Sequence, residues 1–142
     1  MAFPPGFEVV LAVDPGSHKC GLAVVRRDAA PRALHREVIA RGSAVARARD
    51  LVHAHGVEAI LVGDATGGSP LARELAEALA PLPVRRVNEA FTSERARRRF
   101  LEENPPRGLL RLVPRGLRSP DRPYDDYVAV LLAEDFFAAN GG

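Results

Sequence analysis

The sequence predicts an α/β domain: a mixed five-stranded sheet flanked by helices, with elements in the order βββαβαβα. Three observations carry this expectation. Val-rich segments at residues 8–14, 20–26 and 33–40 follow one another across short polar links, the pattern of an antiparallel meander. After residue 43, apolar runs of strand length alternate with stretches of helical period. Pro, Gly and Ser punctuate the junctions. The 142 residues suit one domain, 1–142, with room for a real core.

Residues 8–14 (EVVLAVD) and 20–26 (CGLAVVR) are rich in Val and bounded by Pro and Gly, so both are expected as strands. Between them Asp14, Pro15 and Gly16 open a turn in which Pro15 presets φ and Gly16 allows a positive φ. Residues 33–40 (ALHREVIA) alternate as a third strand. Ser43 is placed to cap a helix with Val45, Ala48, Leu51 and Val52 on one face, ended by Gly56. Residues 58–63 (EAILVG) form a short apolar strand. Ser69 and Pro70 supply an N-cap and a first-turn proline. Leu71, Leu75 and Leu79 then recur at helical spacing until Pro81 and Pro83. Residues 84–88 (VRRVN) form the fifth strand, and Thr92 or Ser93 caps a helix ending near Glu103. Residues 104–123 hold five prolines and two glycines, the composition of a loop. A last helix runs from Tyr124 to Ala139.

Composition narrows the function. No apolar run approaches the roughly 20 residues that cross a bilayer, so no membrane partner is expected. The N-terminus, MAFPPGFE, lacks the charged and apolar regions of a secretion signal. Cys20 is the single cysteine, so no intrachain disulfide can form and a cytoplasmic setting is expected. Its place within a strand reads as core rather than reactive thiol. His18, His35, His53 and His55 have no metal-ligand spacing. Charge is unevenly spread: residues 1–94 balance 11 bases with 11 acids, 95–123 hold 9 Arg against 3 acids, and 124–142 hold 4 acids and no base. This is either a solvated surface or a phosphate-binding face beside an acidic cluster.

The acids sit where a sheet could gather them. Val10, Ala12 and Asp14 share one face by the two-residue strand period, which places Asp14 at a strand end. Glu89 follows the fifth strand, and Asp125 and Asp126 open the last helix. Each has an ordinary explanation, as a turn opener or as an acid favoured by a helix N-terminus. Together they describe carboxylates whose repulsion a cation relieves, and hard oxygen donors select Mg²⁺ or Mn²⁺. Two such ions about 3.5–4 Å apart can clamp a phosphodiester and activate water. Asp64 is either a further acid near this site or a polar loop residue.

Four segments, AVDPGSHKCGLAVV, EAILVG, NEAFTSERA and DDYVAVLLAEDFF, occur in the order and spacing of a known family. The chain resembles the YqgF/RuvX proteins, the Holliday-junction-resolvase-like branch of the ribonuclease H superfamily. The resemblance covers nearly the whole length. It implies a ribonuclease H-like fold and metal-dependent phosphodiester hydrolysis. By position it implies Asp14, Glu89 and Asp125 as the catalytic and metal-holding acids, with Asp126 one residue away as an alternative ligand. Gly16 and Gly21 match the glycines of the first hairpin turn. Asn88 and Ala90 stand where the family usually has Asp and Arg, and the loop at 64–69 departs from its Leu-Pro-Leu-Asn pattern.

On this reading Lys19 steers the scissile phosphate. Arg95, Arg98 and Arg99 on one helix, and Arg107, Arg111, Arg115 and Arg118 in the loop, hold backbone phosphates. The substrate is branched DNA such as a Holliday junction or, alternatively, the 5′ end of pre-16S ribosomal RNA. Symmetric junction resolution needs two sites and hence a homodimer, for which Leu109, Leu110, Leu112 and Val113 offer an apolar face. Two other classes compete. An actin-like nucleotide binder shares the acid-Gly-Ser-Lys-Gly hairpin but needs two lobes. A non-catalytic nucleic-acid-binding module would keep the fold without the chemistry.

Overall fold

Three antiparallel strands open the computed structural model, which describes residues 7–64, 68–89, 92–104 and 124–140. They are β1 (Val9–Asp14), β2 (Lys19–Arg26) and β3 (Arg32–Ala40), paired as the expected meander. The β2–β3 register shifts at Val24/Val25, an irregularity of the kind that bends a strand. After a 3₁₀ turn at Arg41–Ser43, α1 (Ala44–His55) leads to β4 (Ala59–Gly63), which lies parallel to β1 on its free side. Then α2 (Gly68–Ala78) leads to β5 (Val84–Val87), parallel to β4. The sheet order is β3-β2-β1-β4-β5, with β1 at the centre.

Two helices close the described chain, α3 (Thr92–Glu103) and α4 (Asp125–Asn140). The order is therefore βββαβαβαα: the helices expected to end near Glu103 and to run from Tyr124 are both present with no strand between them, so the order βββαβαβα is one helix short. Residues 105–123, including Arg107, Arg111, Arg115, Arg118 and the Leu109, Leu110, Leu112, Val113 set, lie outside the described residues.

The strand period sorts the core into two layers. Val10, Ala12, Ala23, Val25, Ala59 and Leu61 face α3 and α4, and Leu11, Val13, Leu22, Val24, Ile60 and Val62 face α1 and α2. Covering both faces explains why β1, β2 and β4 read as nearly continuous apolar runs. Cys20 belongs to the second layer and is fully buried, as expected. Helix α4 lies across β1, β2, β3 and β4 with α3 on its outer side. Its residues from Tyr127 to Ala133 are all buried, which accounts for a helix apolar on every face.

Several local expectations were overridden. Gly56 does end α1 in a left-handed conformation, φ 64°. Ser43 makes no side-chain cap, because it belongs to the preceding 3₁₀ turn. Ser69 lies inside α2, and its Oγ accepts from Arg86 Nη1 at 2.6 Å instead of capping the helix. The Thr92 hydroxyl is buried and has no hydrogen-bond partner among the described residues, so it caps nothing either. Gly16 is not among the described glycines of positive φ; what its missing side chain provides is room for the Lys19 carbonyl.

Candidate active site

Asp14, the last residue of β1, lies on the α4 face of the sheet, as its period with Val10 and Ala12 requires. Its register partner on β2 is Gly21. A side chain at Gly21 would overlap the Asp125 backbone carbonyl, so this glycine lets the first turn of α4 settle against the strand beside Asp14. Glu89 arrives from the other side. Strand β5 stops at Val87, two residues earlier than the acid, and the Glu89 N–H donates to Asp64 Oδ1 at 3.1 Å. Asp64 in turn donates its own N–H to the Val87 carbonyl at 2.9 Å. The Glu89 carboxyl lies over Gly63, where any Cβ would displace it.

The outcome is a cluster of three half-buried carboxyls. Asp14 stands within hydrogen-bonding reach of both Glu89 and Asp125. Burial, followed by contact with Glu89 and then Asp125, pushes the Asp14 carboxyl up from 3.8 to about 9. Asp126 is not part of the cluster. It is buried and turned toward β3, where its Oδ2 accepts from Arg36 Nη1 at 3.0 Å and its Oδ1 accepts the Tyr127 N–H at 3.0 Å.

The donors suit a divalent cation. They are hard carboxylate oxygens, brought together where Gly21 and Gly63 leave room for them. Among the described residues, no group of three His, Cys, Asp or Glu side chains is arranged around a common point as metal ligands are; the three carboxyls touch one another instead.

The basic residues divide. Lys19 is exposed at the start of β2. Arg98 points outward, with a long 3.9 Å approach to Glu94. Arg95 donates through both terminal nitrogens to Asp135, at 2.9 and 3.1 Å. Arg99 donates to Glu134 at 2.8 Å and to Glu103 at 3.0 Å. Arg95 and Arg99, expected to hold phosphates, thus clasp α3 to α4. Their partners lie 40 and 35 residues further along the chain, beyond what a local reading of the helix reaches.

Sequence reasoning passed over Arg36, Gly63 and the backbone-holding role of Asp64. Asp64 carried the same signal as Asp14, an acid ending an apolar strand. Arg36 carried none, since a charge in an alternating strand reads as solvent-facing.

No family model and no curated protein matches the chain. Solved structures do. Thermus thermophilus RuvC has a TM-score of 0.59 at 24% identity, covering 92% of this chain and 94% of that one. T. thermophilus RuvC in complex with a Holliday junction substrate has a TM-score of 0.57 at 23% identity, covering 94% of this chain and 96% of that one. The five-stranded mixed sheet with its flanking helices is thus a ribonuclease H-like fold of the kind seen in RuvC.

Proposed function

We propose that this chain is a divalent-metal-dependent endonuclease of the YqgF/RuvX type, hydrolysing phosphodiester bonds in branched DNA. One observation carries the reading: Asp14, Glu89 and Asp125, brought from a strand end, a loop and a helix start, meet at one place on a RuvC-like fold. The neighbour solved with a Holliday junction supports the junction as substrate.

Each residue then has a task. Asp14, Glu89 and Asp125 would hold Mg²⁺ or Mn²⁺ through their carboxylate oxygens. When bound, the cation lowers the pKa of water and stabilises the leaving oxygen. Asp64 fixes the Glu89 backbone and so the direction of its carboxyl. Lys19, exposed on the hairpin that carries Asp14, orients the scissile phosphate. Arg98 and the arginines at 107, 111, 115 and 118 supply backbone contacts, which give affinity and salt dependence rather than base readout.

The test is a cleavage assay with Mg²⁺ or Mn²⁺, offering a labelled four-way junction and a labelled pre-16S leader RNA to wild type and Asp14→Asn. Paired symmetric nicks in the junction, lost in the variant, are expected. Trimming of the leader instead would reassign the substrate while keeping the chemistry. No metal-dependent cut in either would leave a binding module.

A further inference from the structure

We propose that Arg36 is a positioning residue for the candidate site: by holding Asp126 it sets the rotation of the first turn of α4 and thereby turns Asp125 toward Asp14. The proposal rests on the nuclease reading above and adds a residue to it.

Consecutive residues on an α-helix point about 100° apart, so Asp125 and Asp126 cannot both face the acid cluster. The structure shows which one is held away. Arg36 sits on β3 opposite Ala23, whose side chain belongs to the layer beneath α4, so Arg36 faces that helix. Its Nη1 donates to Asp126 Oδ2, and its guanidinium lies 4.2 Å from the centre of the Tyr127 ring. The other Asp126 oxygen is occupied by the Tyr127 N–H. Tyr127 is itself anchored: its hydroxyl donates to Glu103 at 3.3 Å and accepts from Asn104 at 3.3 Å, and Phe100 packs edge-on at 5.4 Å. The start of α4 is therefore braced from β3 on one side and α3 on the other. Both Asp126 oxygens thus accept a hydrogen bond, one from Arg36 and one from the start of α4. A guanidinium suits this place because it can grip a carboxylate and pack over a ring at once.

The test uses the full chain and two readouts. Mn²⁺ affinity is measured by calorimetry for wild type, Arg36→Met, Arg36→Lys, Asp126→Asn and the double variant Arg36→Met/Asp126→Asn. The carboxyl carbon resonance of Asp125 is followed by NMR in EDTA. The double variant leaves no unpaired buried charge, so it guards against misfolding of the single one. Loss of affinity by about 10- to 100-fold is expected in Arg36→Met, the range for residues that orient metal ligands. Arg36→Lys should recover only part, and the double variant should be no worse than Arg36→Met, because both changes cut one link. The Asp125 resonance should move in Arg36→Met without any metal. Unchanged affinity in Arg36→Met, or tighter binding there with a loss in Asp126→Asn, would overturn the proposal and make Asp126 a ligand. If wild type binds no Mn²⁺, the metal reading fails, and the Asp125 resonance alone decides: displaced, the brace stands; unmoved, it falls.

Discussion

Replacing Asp14 by Asn should abolish cleavage and, in the metal-free protein, change how stability depends on pH. The unfolded chain loses the Asp14 proton near 3.8, whereas the folded protein keeps it to about 9. Between these values the native state holds one more proton than the unfolded state, so stability falls as pH rises. One proton corresponds to about 1.4 kcal/mol per pH unit, so as much as about 4 kcal/mol is lost between about pH 5 and about pH 8. The asparagine of the variant has no proton to lose, and its amide can donate to the Glu89 and Asp125 carboxylates. Urea unfolding in EDTA should therefore show a wild type that weakens with pH and an Asp14→Asn protein whose dependence is much flatter and which is the more stable at about pH 8. Adding Mg²⁺ at the higher pH should recover about 2.7 kcal/mol in the wild type at a hundredfold excess over the dissociation constant and leave the variant little changed. If the two proteins weaken in parallel, or the variant is the weaker at high pH, the three carboxyls are not crowded in the folded chain and the cluster argument is wrong.

Three further outcomes follow from the same geometry. Gly63→Ala places a methyl where the Glu89 carboxyl lies, and turnover on a cleavable junction should fall about 10- to 100-fold, as for a displacement near 1 Å; an unaffected kcat would show that Glu89 does not act from that position. Thr92→Val removes a buried hydroxyl that lacks a partner among the described residues, and urea unfolding should show a gain of about 1 kcal/mol; a loss would mean the hydroxyl is satisfied in solution. Arg98→Ala should lower the salt slope of nucleic-acid binding by about 1, whereas Arg95→Ala, already engaged by Asp135, should leave it unchanged at a stability cost under about 1 kcal/mol. Equal slopes for both variants would show that the Arg95 clasp opens to nucleic acid.

What was legible in the sequence is what a short-range period encodes. The two-residue alternation placed Asp14 on the same face as Val10 and Ala12. The β-meander followed by strand–helix alternation led to the sheet and its layers. What was illegible depends on partners far along the chain. A hydroxyl at a helix start is a cap only if nothing better reaches it, and Arg86, from β5, takes Ser69. An arginine-rich helix reads as a phosphate face, and nothing local shows that Asp135 and Glu134 on the next helix pair with two of its arginines.

The pair Asp125 and Asp126 shows the same division within two residues. Sequence reasoning narrows the third acid to these neighbours and cannot separate them, because both open the same helix and both bear the same charge. The distinction comes from Arg36, 90 residues away, on a strand whose alternation marks it as ordinary surface. A charge on an edge strand is usually a guard against edge pairing. Here it lies on the covered face, beneath a helix that is otherwise apolar, and a charge in such a place must have a partner. The two acids therefore have different neighbours, a guanidinium for Asp126 and the Asp14 carboxyl for Asp125. That difference in surroundings, rather than any difference between the residues themselves, separates the acid held by Arg36 from the acid beside Asp14.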